Sequence, residues 1–275
     1  MSENNNPIIE TEALVHTYKT GVTALKGVNV GFYEGVITPI VGQNGSGKTT
    51  LVRHFNGLLR PTSGTVFLNG EDAKEKNVGA MAVQVGYVFQ NPNHQIFCVS
   101  VKEELEVGPK NFGFTESQRE EAIERVTELM DLGEILNLHP LTLDYTTKKI
   151  VTIASVLTYN PEILIMDEPT GGLDEQGRRM LTKIIRMMKD NGRTVLMISH
   201  DMDYVAQISE RIVVMAEGEV IDDGTPTEVF QNAENLNKAQ IEPPQIAQLD
   251  IRLKNSDPLS LNVDAFVEKY RQLKN

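Results

Sequence analysis

A glycine-rich octapeptide constrains this chain more than any other stretch. It reads GQNGSGKT and fits the phosphate-binding pattern G-x-x-x-x-G-K-[ST]. A run rich in valine and isoleucine, residues 36–41, precedes it, and a helix is predicted over residues 50–59. Glycines let a backbone wrap closely around an anion, and the following helix adds its positive N-terminal end. The stretch therefore predicts a nucleotide-binding loop between a buried strand and a helix.

The side chains of this loop suit phosphate chemistry. Lys48 supplies a mobile cation for the β- and γ-phosphates, and the hydroxyl of Thr49 can ligate Mg²⁺. The alternative is a glycine-rich turn with an incidental lysine, but a chance match in a chain of this length has odds of about 1%. The residues predicted to contact the nucleotide are Gly42, Gln43, Asn44, Gly45, Ser46, Gly47, Lys48, Thr49 and Thr50.

Composition narrows the classes of partner. The chain has 275 residues, which suits one large domain or two smaller ones. A net charge of −12 argues against nucleic acid as a partner. Cys98 is the single cysteine, so no internal disulfide is available. Residues 1–10 are polar and asparagine-rich, unlike a secretory signal, and no stretch reaches the roughly 18 apolar residues of a membrane-spanning helix. A role at a membrane is therefore expected to come through a partner.

Strand and helix periodicities alternate along the chain. Pro39 lies inside the strand before the loop and has no N–H to donate, so a bulge or a missing hydrogen bond is expected there. The predicted strands are 8–18, 24–33, 36–41, 65–68, 83–89, 163–166, 194–199, 212–216 and 219–222. Helical periodicity is predicted over 50–59, 101–136, 148–157, 175–190, 226–230 and 263–273.

A second motif supplies carboxylates. The apolar run 163–166 ends in Asp167 and Glu168, where an aspartate can hold Mg²⁺ and a glutamate can orient or deprotonate water. The alternative is an acidic turn after a strand. His200 ends another apolar strand and is a candidate contact for the γ-phosphate, although a histidine at a strand end is more often structural.

These motifs, in this order, resemble those of ATP-binding-cassette (ABC) ATPases, the nucleotide-binding domains of ABC transporters. The resemblance covers residues 8–229 and implies ATP and Mg²⁺ as cofactors. It implies that Tyr18 stacks on adenine and that Gln90 is the Q-loop residue, which contacts nucleotide and metal. It also makes Glu168 the catalytic carboxylate and His200 the switch histidine.

The same resemblance sets the remaining parts of the cassette. Asp167 matches the Walker B aspartate, and residues 171–174, ending in Asp174, resemble the D-loop. The implied fold is α/β, a RecA-like P-loop NTPase core with an antiparallel β subdomain and an inserted α-helical subdomain. We expect an ATPase domain over 1–232, its helical subdomain at about 91–157 after Gln90, and a small C-terminal appendage over 233–275.

A narrower resemblance is to the ATPases of energy-coupling-factor transporters. The residues that carry it are VFQNPNHQIF at 88–97 and EPPQI at 242–246. This resemblance implies a second ATPase subunit, a membrane T-component and, indirectly, a substrate-binding S-component. It places the chain at the cytoplasmic face of the cell membrane as a peripheral subunit of an importer for metal ions or vitamins.

The sequence departs from the family at the signature motif L-S-G-G-Q. The aligned stretch is Leu143, Asp144, Tyr145, Thr146 and Thr147, which keeps the leucine and loses the serine and both glycines. The family's signature offers a hydroxyl and backbone N–H groups to the γ-phosphate across a dimer. Asp144 places a negative charge there and Tyr145 adds bulk. The departure predicts one impaired composite site, unless the stretch serves as a signature in an unusual sequence.

Several readings follow. A homodimer would carry the defect twice, whereas a heterodimer with an intact paralogue keeps one normal site, and we favour the heterodimer. A nucleotide-binding regulatory subunit with vestigial hydrolysis is an alternative that Glu168 opposes. A non-transport ABC ATPase is another, although such proteins carry tandem cassettes or long coiled-coil inserts. In the energy-coupling-factor group a separate membrane protein recognises the substrate, so the sequence of this chain does not reveal which substrate is transported.

Overall fold

Ten strands form two sheets in the part of the chain that this computed structural model describes, residues 6–253 and 258–272. The strands are β1 (Ile9–Thr17), β2 (Thr23–Phe32), β3 (Ile37–Val41), β4 (Ser63–Leu68), β5 (Glu71–Asp72), β6 (Val85–Val88), β7 (Ile163–Asp167), β8 (Thr194–Ile198), β9 (Ile212–Ala216) and β10 (Glu219–Gly224). Their order is β10-β9-β3-β8-β7-β6 in one sheet and β2-β1-β4-β5 in the other.

Eleven α-helices cover the sheets within the described residues. They are α1 (Lys48–Phe55), α2 (Val78–Gln84), α3 (Val101–Asn111), α4 (Glu116–Met130), α5 (Tyr145–Leu157), α6 (Glu175–Asp190), α7 (Met202–Ile208), α8 (Pro226–Gln231), α9 (Ala233–Ala239), α10 (Gln245–Arg252) and α11 (Val263–Gln272). This mixed architecture confirms the predicted α/β class.

The larger sheet places the functional loops. Its strands pair in parallel except for β10 on β9, and β3, β7 and β8 are buried along their whole lengths. Strands buried on both faces read as continuous apolar runs, which explains the valine- and isoleucine-rich sequence. The carboxyl ends of parallel strands meet at one edge, where open α/β sheets bind ligands. The loops after β3, β7 and β8 therefore lie together.

Pro39 does not distort its strand. The ladder between β3 and β8 runs through the pair of Pro39 and Met197 with no register shift. On the other side, pairing with β9 begins only at Ile40. No bulge forms, but Pro39 has no partner in the β9 ladder, which agrees with the alternative expectation of a missing hydrogen bond at this residue.

The smaller sheet is antiparallel and packs over α1. Its inward side chains share a core with α1, including Phe32 and Phe55, whose rings meet edge to face at 5.4 Å between centroids. Strand β1 shifts register near Ala13, which has a φ of 44°. The strand then ends one residue before Tyr18, and the sheet brings that ring to the same cleft as the glycine-rich loop.

The helices differ from the sequence prediction in several places, of which three show the physical cause. Residues 78–84 form α2, capped by the side chain of Asn77, in a region where a strand was expected to begin at 83. Helix α1 ends at Phe55, short of residue 59, and Gly57 follows with a φ of 77°. Helix α5 begins at Tyr145 rather than at residue 148, because Asp144 caps it. Local capping and turn chemistry outweighed apolar periodicity in each case.

The residues after 232 pack on the core of the larger sheet. Leu236, Ala239, Ala247 and Leu259 belong to the same apolar cluster as α5, α6 and the large sheet. Lys269 pairs with the fully buried Asp250 at 2.8 Å, joining α11 to α10. Two polar stretches of the sequence, residues 1–5 and 254–257, lie outside the described residues. Within the described ranges, no helix is long and apolar enough to cross a membrane.

Candidate nucleotide-binding site

One cleft of about 540 Å³ gathers most of the predicted site. It opens at the carboxyl edge of the large sheet, between the nucleotide-binding loop, the turn after β7 and the first turns of α5. The predicted residues that line it are Tyr18, Asn44, Gly45, Gly47, Lys48, Thr49, Thr50, Gln90, Tyr145, Asp167, Glu168 and His200. Those outside its lining are Gly42, Gln43, Ser46, Leu143, Asp144, Thr146, Thr147 and Asp174.

Two glycines of the loop occupy positions that no larger residue could take. A Cβ on Gly42 would lie 2.1 Å from the carbonyl oxygen of Met215, and Gly42 has a φ of 147°. A Cβ on Gly47 would lie 2.7 Å from the carbonyl oxygen of Ala24. Gly47 also begins α1, so the free N–H groups of that helix face the loop. The backbone thus forms a narrow cradle that fits a phosphate chain.

Lys48 and Ser46 complete the polar lining of the cradle. The Lys48 ammonium is 6% exposed and donates to the carbonyl oxygens of Gly42 and Gln43 at 2.7 and 2.9 Å. Burial lowers the pKa of Lys48, and the carboxylates of Glu168 and Asp167 oppose that fall. The Ser46 hydroxyl is buried with no hydrogen-bond partner among the described residues. A cation and an unpaired hydroxyl beside the glycine cradle suit the oxygens of ATP.

Thr49 and Asp167 supply a site suited to Mg²⁺. The Thr49 hydroxyl donates to Oδ2 of Asp167 at 3.2 Å, joining the start of α1 to the end of β7. Mg²⁺ prefers oxygen ligands and binds through one or two carboxylates together with phosphates and water. The hydroxyl of Tyr87 donates to the same Oδ2 at 3.2 Å, and burial raises its pKa. The sequence prediction missed Tyr87, since a tyrosine inside a buried strand carries no motif.

The side chains of Glu168 and His200 lie next to each other in the cleft. Oε2 of Glu168 accepts the backbone N–H of His200 at 3.4 Å, and Oε1 lies 3.1 Å from Nε2 of His200 without hydrogen-bond geometry. Burial raises the pKa of Glu168 to about 7. Burial also lowers the pKa of His200, with a smaller effect of the same sign from Lys48. A carboxyl group with a pKa near 7 is suited to act as a general base at neutral pH.

Tyr18 lies at the open end of the cleft and packs against His16, which in turn contacts His54. Its ring is 37% exposed, and its hydroxyl is 2.9 Å from the hydroxyl of Thr50. The ring of His16 meets it edge-on at 4.6 Å, and His54 lies behind His16 with Nε2 3.1 Å from Nδ1. The exposed face of Tyr18 is available to a planar ligand. The pattern of residue types gave no sign of this histidine pair.

The signature-like stretch forms the start of α5. Both carboxylate oxygens of Asp144 accept from Thr147, Oδ1 from the N–H at 2.9 Å and Oδ2 from the hydroxyl at 2.6 Å. These hydrogen bonds lower the pKa of Asp144, so the exposed side chain stays charged. The Thr146 hydroxyl donates to the carbonyl oxygen of Gly172 at 3.3 Å, and Leu143 is half-buried just before the cap. Asp144 thus serves as N-cap while presenting a negative charge.

Two glutamines connect the segment after β6 to α5. Gln90 is exposed, and its carbonyl oxygen accepts from the Tyr145 hydroxyl at 3.4 Å. Gln95 accepts the N–H of Phe89 and donates to the carbonyl oxygen of Thr152 at 3.0 Å. The sequence analysis included Gln95 in the stretch 88–97 that carries the narrower resemblance, but it predicted no role for this residue. The structure makes it the direct link between the strand end and the helix.

Asp174 has a local structural partner. Its carboxylate accepts the N–H of Gly177 at 2.7 Å and caps α6. The turn between Glu168 and Asp174 is held from inside by Lys149, whose ammonium contacts two of its carbonyl oxygens. Lys149 was also missed, because a lysine after a degenerate motif does not differ in sequence from an exposed one.

Comparisons with known proteins agree with this geometry. Residues 25–171 match the family model described as ABC transporter. The chain is 36% identical over 256 residues to the energy-coupling factor transporter ATP-binding protein EcfA of Methanocaldococcus jannaschii, covering 92% of each protein.

Solved structures show the same arrangement of elements. The chain superimposes with a TM-score of 0.75 and 31% identity on cbiO1 from Clostridium perfringens, described as part of the ABC transporter complex cbiONQ. That match covers 91% of this chain and 97% of the other. A dimeric ATP-binding cassette in a post-hydrolysis state, bound to ADP and Pi, matches with a TM-score of 0.72 and 26% identity over 79% of this chain and 98% of the other.

Proposed function

This chain belongs to the ABC transporter family of ATPases, and we propose that it is the ATP-hydrolysing subunit of an importer of the energy-coupling-factor type. The observation that carries the proposal is the arrangement of Glu168, Asp167 and Lys48 around one phosphate-sized cradle. The 36% identity to an energy-coupling-factor ATPase over nearly the whole chain supports the subgroup. The cargo is a metal ion or a vitamin that a separate membrane protein recognises.

The motif residues of the cleft have the following roles in the proposed hydrolysis. The Gly42–Thr50 loop binds the phosphates of ATP, with the Lys48 ammonium turned from the loop carbonyls toward them, and Tyr18 stacks on the adenine. Thr49, Asp167 and Gln90 would hold Mg²⁺, which would supply positive charge to neutralise the phosphates of ATP. Glu168 accepts the proton of the attacking water on its carboxylate, and the neutral His200 beside it orients the γ-phosphate.

The partner ATPase completes the site. In this family two cassettes pack head to tail, so that the signature of one covers the P-loop of the other. Asp144 keeps the helix capped but presents a charge where the family presents a hydroxyl, and Tyr145 lies over Gly172. We propose a heterodimer in which the hydrolytic site uses this chain's Glu168 and the partner's intact signature. The opposite site, covered by residues 143–147, hydrolyses slowly.

The membrane partner is proposed to dock beside the Q-loop. Four large apolar side chains lie exposed there: Phe97, Val99, Leu138 and Leu141. The N–H of Val101 donates to the carbonyl oxygen of Leu138, which brings the two segments together. Exposed apolar patches of this kind mark contact surfaces. A T-component bound there would sense α5 through Gln95, and the S-component would respond to the T-component.

Substitution of Glu168 by glutamine tests the proposal. Glu168→Gln keeps the shape and the hydrogen bond to the His200 N–H but cannot accept a proton at neutral pH. We expect transport and steady-state hydrolysis to be lost while ATP stays bound in a closed dimer. The measurements are substrate uptake by reconstituted vesicles and retention of labelled ATP on gel filtration.

Glu162→Gln provides a matched control for this test. Glu162 precedes the other end of β7 and contacts Asn69 outside the cleft, so its loss should leave transport unchanged. The altered signature favours one rival, a regulatory subunit with vestigial hydrolysis. That rival predicts normal transport by the Glu168→Gln variant, and such a result would contradict the proposed function.

A further inference from the structure

Lys149 is a buried cation that the proposed hydrolysis does not use. Its side chain lies in the second turn of α5 and is 1% exposed. The ammonium donates to the carbonyl oxygen of Glu168 at 2.6 Å and to that of Gly171 at 2.8 Å. Lysine is almost never fully buried unless it is paired. An apolar residue would fill the space without desolvating a charge, so these two bonds are the feature to explain.

The turn that Lys149 holds contains a strained residue. Glu168 has a φ of 50°, a left-handed conformation that is unfavourable for a residue with a Cβ. Its N–H donates to the carbonyl oxygen of Ile198 at 3.0 Å, and its own carbonyl oxygen accepts from Lys149. Strained residues persist where surrounding contacts fix them, and these contacts fix both peptide groups of Glu168. The direction of its carboxylate toward the cleft depends on that conformation.

Helix α5 also contacts the neighbouring residues of the turn. The Tyr145 ring lies against Gly172, where an added Cβ would be 2.5 Å from the ring, and Thr146 donates to the Gly172 carbonyl oxygen. Lys149 reaches further and bonds the carbonyl oxygen of Glu168 itself. The helix that begins at the signature position therefore supports the backbone of the candidate base in the same chain.

We propose that Lys149 is a positioning residue for ATP hydrolysis. By bonding both ends of the Glu168–Gly171 turn, its ammonium fixes the left-handed backbone at Glu168 and so aims the carboxylate at the attacking water. The inference rests on the proposed role of Glu168 as the base. It adds a residue on α5 that acts on hydrolysis rather than on ATP binding, since Lys149 donates to backbone oxygens of the turn and to none of the phosphate cradle.

Substitution of two cations that bind backbone carbonyl oxygens near opposite ends of α5, Lys149 of α5 and Arg125 of α4, tests this role. Lys149→Met removes the ammonium and keeps most of the side-chain volume. Arg125→Met is the matched control, because Arg125 donates to the carbonyl oxygens of Leu157 and Thr158 at the far end of the same helix. Both variants are made in the full-length chain and assembled with its partner subunits. The measurements are kcat, the Kd for ATP from a fluorescent analogue, and the melting temperature.

The expected result is a selective loss of turnover. A displacement of a reacting group by about 1 Å can cost about 100-fold in rate, and we expect a fall of that order in kcat for Lys149→Met. Its Kd for ATP should stay within about threefold of the unsubstituted chain, a difference of under 1 kcal/mol in binding. Arg125→Met should lose melting temperature but keep its kcat. Lys149→Gln, which retains a shorter N–H donor, should recover part of the lost kcat.

Other outcomes overturn the inference. Equal kcat values for Lys149→Met and Arg125→Met, or a loss of ATP affinity with kcat unchanged, contradict a positioning role. If Lys149→Met does not fold, the Gln variant decides by the same comparison. Normal hydrolysis by Glu168→Gln would contradict the proposed function itself. Normal hydrolysis by Lys149→Met beside an inactive Glu168→Gln would contradict only the role of Lys149.

Discussion

The histidine pair behind Tyr18 shows how one buried side chain creates a pH dependence. His54 is 2% exposed, and its Nδ1 donates to the carbonyl oxygen of Thr50 at 2.7 Å. Its Nε2 faces Nδ1 of His16, which also lies 3.1 Å from the carbonyl oxygen of Arg60. Since a carbonyl only accepts, both Nδ1 atoms carry protons in this arrangement. Burial lowers the pKa of His54 to about 4, and the facing His16 has a smaller effect of the same sign.

We predict that this histidine makes the fold less stable in acid. The unfolded chain takes up a proton at His54 below about pH 6.5, whereas the folded chain resists protonation until about pH 4. The contribution of neutral His54 is therefore complete above pH 6.5 and falls as the pH drops toward 4, by at most about 3 kcal/mol. His54→Phe should remove this part of the slope, as measured by urea unfolding at several pH values.

The control for this prediction is an exposed histidine. His94→Phe, in the 3-10 turn after β6, should keep the same fall in unfolding free energy between pH 6.5 and about 4 as the unsubstituted chain. An unchanged slope in His54→Phe would show that the acid sensitivity arises from other groups.

At the level of elements, the start of α5 combines a structural and a functional task. Asp144 is a good N-cap, and serine and asparagine cap helices about equally well. Of the three residues only aspartate is charged, and in the proposed dimer that charge lies near a γ-phosphate in the partner's P-loop. Substitutions at this position can therefore separate the effect on helix stability from the effect on nucleotide binding.

We predict that Asp144→Ser and Asp144→Asn strengthen ATP binding at the site this stretch covers. Removing a like-charge repulsion on the order of 1 kcal/mol should tighten the Kd for ATP about fivefold, with stability nearly unchanged. Asp144→Ala removes the charge and the cap together, so it should gain the same affinity while losing about 1 kcal/mol of unfolding free energy. Nucleotide titration and thermal melting of all three variants in the assembled complex measure both quantities. Unchanged affinity in all three would mean that the stretch serves as a signature despite its charge.

The elements also show which parts of the fold the sequence could reveal. Strands β3, β7 and β8 were predicted because burial on both faces leaves unbroken apolar runs. Helix α2 was missed, since its seven residues have one buried side chain, Met81, and no apolar stripe. The beginning of α5 was missed because a polar first turn has no periodicity and only its cap, Asp144, marks it. The periodicity of buried apolar residues therefore does not reveal short elements that local hydrogen bonds define.

For the candidate site, too, the sequence revealed residues with a local motif and missed those whose role depends on packing. The residues of the glycine loop, the carboxylate pair and His200 were predicted, and the structure brings most of them into one cleft because their chemistry requires fixed spacing near strand ends. Lys149 and Gln95 were not predicted, since each donates hydrogen bonds to backbone carbonyl oxygens of another element. Such contacts depend on how α5 packs, which no local motif encodes. The roles assigned to all of these residues stay predictions.

At the scale of the whole molecule, this chain is proposed to contribute one half to each of two composite ATP sites, and the two halves differ in how closely they match the family's motifs. In the proposed site, the half formed by the P-loop, Glu168 and His200 has the predicted motif residues, whereas the proposed signature half, residues 143–147, carries a charge and a bulky ring. A dimer of identical chains would repeat the weak half in both sites. A dimer with an intact paralogue would combine this chain's strong half with a proper signature. The asymmetry of the chain is thus an argument for an asymmetric assembly.

The heterodimer predicts that this chain alone is a poor ATPase. A mismatch worth about 1.4 kcal/mol in the transition state costs tenfold in rate, so we expect activity to rise at least about tenfold when the partner ATPase is added. In the mixed complex, Glu168→Gln in this chain should abolish most hydrolysis. Substitution of the partner's own catalytic carboxylate should have little effect, because that residue acts in the site covered by Asp144 and Tyr145. Robust hydrolysis by the isolated chain, equal to that of the complex, would rule out the heterodimer and make residues 143–147 a working signature.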